Sequence, residues 1–169
     1  MTKRGQALEQ ELIALIPALR RYAYSLTGSM DDADDLVQST CEKILVKAPP
    51  ADAALSQWAF RLCRNAWIDS YRAAKTREQA TNNPVLQAQN TVDGARQHEQ
   101  AIEYEKVHRA MGELPDAQRE IITLVSIEGM SYKDISQTLD MPQGTVMSRL
   151  ARARKALAER LTANKKGAL

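Results

Sequence analysis

Apolar side chains recur along this chain at steps of three and four, the spacing that lines one face of an α-helix. Residues 8–27 carry Leu8, Leu12, Leu15, Ile16, Leu19, Ala23 and Leu26 in that rhythm. Gly28-Ser29-Met30-Asp31 then reads as a stop and a restart. Glycine suits the position just past a helix end, and Ser29 or Asp31 can accept a hydrogen bond from the next helix's first free N–H groups. A second helix is predicted to about Lys47, with Ala33, Leu36, Val37, Thr40, Ile44 and Leu45 on its inner side. Ala48-Pro49-Pro50 must end it, because a proline disfavours helical geometry in the residue before it. A third helix is expected from about Ser56 to Lys75.

The rhythm then fades. Residues 76–97 are rich in Thr, Gln, Asn and Ala, contain Pro84 and Gly94, and have no aromatic residue. They read as a flexible linker, which as a free coil of about 22 residues would average roughly 25 Å end to end. The pattern resumes with a helix at about 101–112, and Leu114-Pro115-Asp116 opens another, since proline is tolerated in a first turn. Its apolar residues are Ile121, Ile122, Leu124, Val125 and Ile127, and Glu128-Gly129 closes it. The expected architecture is all-α: two small helical modules, 8–75 and 101–162, joined by a linker over 76–100.

Composition agrees. In 169 residues there are only 7 Gly and 6 Pro, aromatics make up 5%, and good helix formers dominate, so an all-β fold is disfavoured. No apolar run approaches the ~20 residues of a membrane span. Cys41 and Cys63 make no disulfide framework and read as reduced, small interior side chains. Catalytic signatures are missing: no phosphate-binding glycine loop, no G-x-S-x-G and no H-E-x-x-H. His98 and His108 stand ten apart, without the spacing of metal ligands, and read as surface residues. Asp31 to Asp35 lack a calcium-loop spacing. Neither metal nor cofactor is expected, and an enzyme is not expected.

The most specific local signal lies near the end. Ser131-Tyr132-Lys133-Asp134 has the S-x-x-D form that caps a helix. A short helix with Ile135, Ser136 and Leu139 follows, Asp140-Met141-Pro142 breaks it, and a longer helix runs from Gln143 to about Leu161. Helix, three-residue turn and longer helix is the layout of a DNA-binding helix-turn-helix. At ~100° per residue, Val146, Leu150, Ala153, Leu157 and Leu161 form the buried stripe. Thr145, Ser148, Arg152 and Lys155 lie opposite, flanked by Arg149 and Arg154. Arginine can grip a guanine edge with two hydrogen bonds, and Ser or Thr can serve base or phosphate. From Gln143 to Lys166 seven bases stand against Glu159 alone, a balance that favours nucleic acid over a merely solvated face.

The first module carries opposed charges. Asp31, Asp32, Asp34, Asp35 and Glu42 occur with no base between Ser29 and Glu42. That is more acid than a helix N-terminus needs, and it points to a basic partner. From Trp58 to Arg77 the balance reverses: Arg61, Arg64, Arg72, Lys75 and Arg77 face only Asp69. Trp58, Phe60, Trp67 and Tyr71 are interleaved with them. Aromatic faces that stack on bases, beside arginines that hold a backbone, are the chemistry of single-strand binding, although some of these rings can equally fill a helical core.

Taken together, these blocks resemble the extracytoplasmic-function (ECF) group of bacterial RNA polymerase sigma factors, over about residues 12–161. Asp31-Asp32-Ala33-Asp34-Asp35-Leu36-Val37-Gln38 is similar to the group's D-A-x-D-L-V-Q block. Trp58, Arg61, Asn65, Asp69 and Arg72 fit its W-x-x-R-x-x-x-N-x-x-x-D-x-x-R helix. Leu114-Pro115 with Arg119-Glu120, then Ser131 to Ile135 and Gly144 to Arg154, fit its region 4. The resemblance implies that Asp34, Asp35 and Gln38 dock on the β′ clamp coiled coil of core RNA polymerase. It implies that Trp58, Arg61, Asn65, Asp69 and Arg72, with the loop Pro49 to Leu55, capture the opened −10 strand. It further implies that Thr145, Ser148, Arg149, Arg152, Arg154 and Lys155 read the −35 element of promoter DNA, that the second module touches the β flap, that a cognate anti-sigma factor exists, and that the protein works in the cytoplasm. The chain departs from the group at Asp140, commonly Gly, at Ser136, commonly Ala, and in the loop before Trp58. Two other readings remain: a sigma-like decoy for an anti-sigma factor, and a free-standing helix-turn-helix regulator.

Overall fold

A computed structural model describes residues 3–81 and 98–166, and those residues are helical with no strand. Helices α1 (Lys3–Thr27), α2 (Met30–Val46), α3 (Leu55–Thr81), α4 (His98–Gly112), α5 (Asp116–Ile122), α6 (Tyr132–Leu139) and α7 (Gln143–Lys166) follow in order, with a π-helical turn at Thr123–Ile127. The chain divides into two compact units. Helices α1, α2 and α3 lie in the first; α4, α5, α7 and residues 132–136 of α6 lie in the second.

In the first unit each of the three helices packs on the other two. Leu12, Leu19, Tyr22, Ala23 and Leu26 of α1 are buried with Ala33, Leu36, Val37 and Ile44 of α2 and Ala59, Phe60, Cys63 and Ala66 of α3. The Tyr22 and Phe60 rings meet edge to face, with centroids 5.0 Å apart. Two buried hydroxyls return to their own helices: Thr40 donates to the Leu36 carbonyl at 2.7 Å and Ser25 to that of Tyr22 at 2.6 Å. Neither is therefore an orphan in the core.

The predicted stop and restart forms as the residues require. Gly28 takes φ +70°, and its N–H donates to the Tyr24 carbonyl at 2.8 Å. Ser29 caps α2, its hydroxyl accepting from the Asp32 N–H at 3.3 Å. Three expectations in this unit are corrected. Ile16 is 37% exposed and Leu45 58% exposed, because they lie about 70° and 120° round their helices from the buried centres. Helix α3 runs to Thr81, past the expected end at Lys75. The described side chains from Asp69 to Ala74 are already exposed, so the helix continues there on local propensity, with the Thr76 hydroxyl turned back onto the Arg72 carbonyl at 2.9 Å. Of the expected linker over 76–100, residues 76–81 and 98–100 are thus helical, and residues 82–97 lie outside the described residues.

In the second unit α4 and α5 pack on α7. The core is Ala110, Leu114, Ile121, Ile122, Leu124, Ile135, Val146, Leu150 and Ala153. Arg119 ties its opening turn together. The guanidinium donates to the Gly112 carbonyl at 3.4 Å, the Leu114 carbonyl at 3.2 Å and the Asp116 carboxylate at 2.7 Å. It thereby serves the last carbonyl of α4 and one in the loop that follows. The helix expected to continue through Ile127 instead widens to a π-turn, closed by Glu128 N–H on Thr123 O at 2.9 Å and Met130 N–H on Leu124 O at 3.0 Å around Gly129 at φ +65°. Ile127 ends 52% exposed rather than inside. The five apolar positions span about 220° of arc, with Ile127 at its edge, and the inner side takes Ile121, Ile122 and Leu124.

Candidate nucleic-acid interfaces and an acidic stripe

The helix-turn-helix is built by side chains at each corner. Ser131 caps α6, accepting from the Asp134 N–H at 3.1 Å. Asp140 ends it in the left-handed conformation, φ 51° and ψ 55°, with its N–H on the Ser136 carbonyl. The Ser136 hydroxyl then spans the turn and donates to the Met141 carbonyl at 2.6 Å. Pro142 receives the N–H groups of Thr145 and Val146 at 2.9 and 3.1 Å, which starts α7. The two places where this turn departs from the resembled pattern are therefore in contact: a non-glycine in the left-handed region, and a serine that braces the same turn.

Helix α7 has two opposite faces. Val146, Leu150 and Ala153 are buried, and Leu157 and Leu161 are half-buried beneath them. Ser148, Arg152, Arg154 and Lys155 are exposed, while Thr145 and Arg149 are half-buried at the edge. Among the described residues none of Arg149, Arg152, Arg154 and Lys155 has an acidic partner. Their charge is available to an anion. The Ser148 hydroxyl donates to the Thr145 carbonyl at 3.1 Å, so it meets a ligand as an acceptor. Arg160, counted with the basic run in the sequence, is used structurally: it lies 3.9 Å from Glu113 and donates to the Ala156 carbonyl. Helix α7 also continues to Lys166, beyond the expected end near Leu161.

On α3, Trp58, Arg61, Asn65, Asp69 and Arg72 fall within about 80° of arc and span about 21 Å. The last four are exposed and Trp58 is half-buried. Phe60 belongs to the core and not to this stripe. Trp67 and Tyr71 pair on another side of the helix, with ring centroids 5.8 Å apart, and Tyr71 is 56% exposed. A cavity of about 350 Å³ opens between the end of α2 and the start of α3, lined by Glu42, Lys43, Val46, Lys47, Trp58 and Leu62. The Trp58 indole N–H is enclosed and finds no acceptor among the described residues.

Helix α2 carries most of its acids in one exposed stripe. Asp31, Asp35, Gln38 and Glu42 lie within about 60° of arc, opposite the buried face, and all four are exposed. The Gln38 amide donates to Glu42 at 3.3 Å. Asp34 is turned toward α1, where Arg20 holds it in a two-pronged pair: Nε to Oδ1 at 2.6 Å and Nη2 to Oδ2 at 3.0 Å. The Asp34 carboxylate pushes the Arg20 guanidinium further up from its ordinary value, by hydrogen bonding first and by charge second. Asp34 lies one turn from Gln38, about 40° round the helix, and about 100° from Asp35; what distinguishes it from the other two is the Arg20 pair. Arg20 was not visible as a framing residue in the sequence, and Arg119 and Ser136 were named there only for their match to, or departure from, the resembled pattern.

Cys63 is buried, and Cys41 is half-buried with burial raising its thiol's pKa. His108, expected at the surface, is half-buried and stacks on Tyr104 with centroids 6.0 Å apart. Among the described residues there is no cluster of three or more metal-binding side chains, and no helix is long and apolar enough to cross a membrane.

Two helical units, one with a cation-faced helix-turn-helix and one with a basic aromatic helix beside an acidic stripe, have the layout of a nucleic-acid-binding protein. Comparison with known proteins narrows this. Residues 13–77 match the Sigma-70 region 2 family and residues 104–157 match Sigma-70, region 4. The ECF RNA polymerase sigma factor EcfG of Rhodopseudomonas palustris is 32% identical over 153 residues, 89% of this chain and 83% of that protein. The ECF RNA polymerase sigma factor SigM of Mycobacterium tuberculosis is 36% identical over 145 residues, 85% of this chain and 71% of that protein. Among solved structures, the sigma factor RpoE from Bartonella quintana, crystallised with the anti-sigma factor NepR, superposes with a TM-score of 0.81 at 30% identity, covering 93% of this chain and 98% of that one. CnrH in complex with the cytosolic domain of CnrY gives 0.68 at 26% identity, covering 94% of this chain and 89% of that one. The chain belongs to the ECF group of the sigma-70 family: it is an RNA polymerase sigma factor that directs promoter-specific transcription initiation, and it is not itself an enzyme.

Proposed function

We propose that the two units divide promoter recognition between them within a cytoplasmic RNA polymerase holoenzyme. The second unit lays α7 in the major groove of the −35 element. Ser148, Arg152 and Lys155 face the duplex, Thr145 and Arg149 reach in from the edge, Arg154 flanks the face, and the β flap meets this unit. The first unit docks its acidic α2 stripe on the basic β′ clamp coiled coil. Its exposed α3 stripe, Trp58, Arg61, Asn65, Asp69 and Arg72, follows the opened −10 strand. The cavity beside Trp58 gives an extruded base an apolar receptacle, which offsets an unstacking cost of a few kcal/mol. The residue boundaries of the two modules are taken as 8–75 and 101–162. Because the RpoE and CnrH structures are complexes with NepR and CnrY, an anti-sigma protein is proposed to hold this chain inactive until a signal releases it.

The observation that carries this reading is α7, with a buried apolar stripe on one side and unpaired cations on the other, following a capped helix and a tight turn. Run-off transcription with bacterial core polymerase on genomic promoter fragments tests it. A discrete set of transcripts should require this chain and vanish with Asp35→Lys or Arg152→Ala. Arg152→Ala should cost about 1–3 kcal/mol at one base position if its contact is two-pronged. An equal loss on all sequences would make Arg152 a phosphate contact. No chain-dependent transcript from a folded protein would overturn the reading in favour of a decoy.

A further inference from the structure

We propose that Asp34 is a positioning residue and not a polymerase ligand: clamped by Arg20, it fixes α2 against α1 so that Asp35 and Gln38 are presented to the basic partner. This rests on the core-docking reading above. Asp34 and Asp35 are neighbours in sequence, but about 100° of helix turn separates them. Asp35 lies on the exposed stripe with Asp31 and Gln38. Asp34 sits at the flank, and both of its oxygens accept from one guanidinium, at 2.6 and 3.0 Å. A planar fork on a carboxylate is the most directional ion pair available to side chains.

Three consequences follow for a partner. A cation approaching Asp34 also meets the Arg20 guanidinium on both carboxylate oxygens, and like charges oppose the approach. The charge offered along the stripe is that of Asp31, Asp35 and Glu42, since Arg20 cancels Asp34 locally. The α1–α2 geometry is also set before docking, which lowers the ordering cost of association. The pair is about half exposed on each side, 49% and 50%, so its own strength is modest. Its value lies in where it holds α2.

The test is the affinity of the full chain for bacterial core polymerase, measured across a salt series, with far-UV circular dichroism to verify folding. The charge-swapped double variant Arg20→Asp with Asp34→Arg should bind within about threefold of wild type and keep its salt dependence, because the pair is restored in reverse and the stripe is untouched. Arg20→Gln and Asp34→Asn should each weaken binding by at most about fivefold, and together no more than either alone. Asp35→Asn should cost tenfold or more and flatten the salt dependence. A swap variant that fails as badly as Asp35→Asn overturns the proposal. So does Arg20→Gln binding more tightly while Asp34→Asn binds more weakly, since that is the signature of Asp34 freed to act as a ligand. If the swap does not fold, the two single variants and their combination decide. A wild-type chain that does not bind core overturns the docking reading and the proposal together; a wild type that binds beside a swap that does not overturns the proposal alone.

Discussion

The turn before α7 permits a test of how one helix-turn-helix replaces a glycine. Asp140 occupies φ 51°, where an L-residue ordinarily loses about 1–2 kcal/mol, although Asp loses less than most. Its side chain has no hydrogen bond or ion pair among the described residues, so trimming it removes nothing. Asp140→Gly relieves the backbone but enlarges the unfolded ensemble, for a net gain of about 0.5 kcal/mol. The Ser136 hydroxyl bond to the Met141 carbonyl, at 2.6 Å, braces the same turn. Ser136→Ala should remove about 1 kcal/mol. The double variant should return to within about 0.5 kcal/mol of wild type, unless the shared turn couples the two sites. Asp140→Val should be the worst, because a β-branched side chain has no easy place in the left-handed region. Native-state hydrogen exchange at the buried Val146 and Leu150 amides reads these changes where they act. With tenfold per 1.4 kcal/mol, Ser136→Ala should speed their exchange about fivefold and Asp140→Gly slow it about twofold. Unchanged exchange in Ser136→Ala, or faster exchange in Asp140→Gly, would refute the claim that the serine compensates for the aspartate.

Other expectations are as direct. Arg119→Ala removes three hydrogen bonds and strands two carbonyls, so it should destabilise the second unit by about 2 kcal/mol or more. Arg119→Lys should recover less than half, since a point charge cannot serve all three acceptors; full recovery in a thermal melt would contradict this. Ser29→Ala and Ser131→Ala each remove a helix cap and should cost about 1 kcal/mol apiece. Their sum should hold in the double variant, because they cap helices in separate units. Burial raises the Cys41 pKa by penalising its thiolate. Iodoacetamide should therefore modify Cys41 more slowly than glutathione at pH 8, and Cys63 more slowly still. The folded state then holds this proton more tightly than the unfolded chain. Any stability from Cys41 is complete below the ordinary thiol value and declines as pH rises above it. Modification of Cys41 at the rate of free glutathione at pH 8 would sink this account.

What could be read from the sequence divides along a physical line. Properties set by nearest neighbours in the chain were legible. The stop at Gly28, the caps Ser29 and Ser131 and the break at Asp140-Met141-Pro142 are local chemistry, and the structure realises each. Stripes resolved by a full angular count, such as the inner face of α7, were legible too. Where steps of three and four were counted without the angle, the stripe came out too wide, and Ile16 and Leu45 proved to be outside. Illegible were the contacts between elements distant in sequence. Nothing in α1 by itself marks Arg20 as the partner of a residue fourteen positions away. For that reason a run of five acids looked like one surface. Folding sorts them by direction: α2 turns about 100° per residue, so adjacent aspartates face different neighbours. One is bound within the protein and the other is left exposed. A charge count over a helical segment therefore overstates what a ligand meets, and the same holds for α7, where Arg160 is spent on Glu113 and the Ala156 carbonyl. Function in such a chain is read from the charges that folding leaves over.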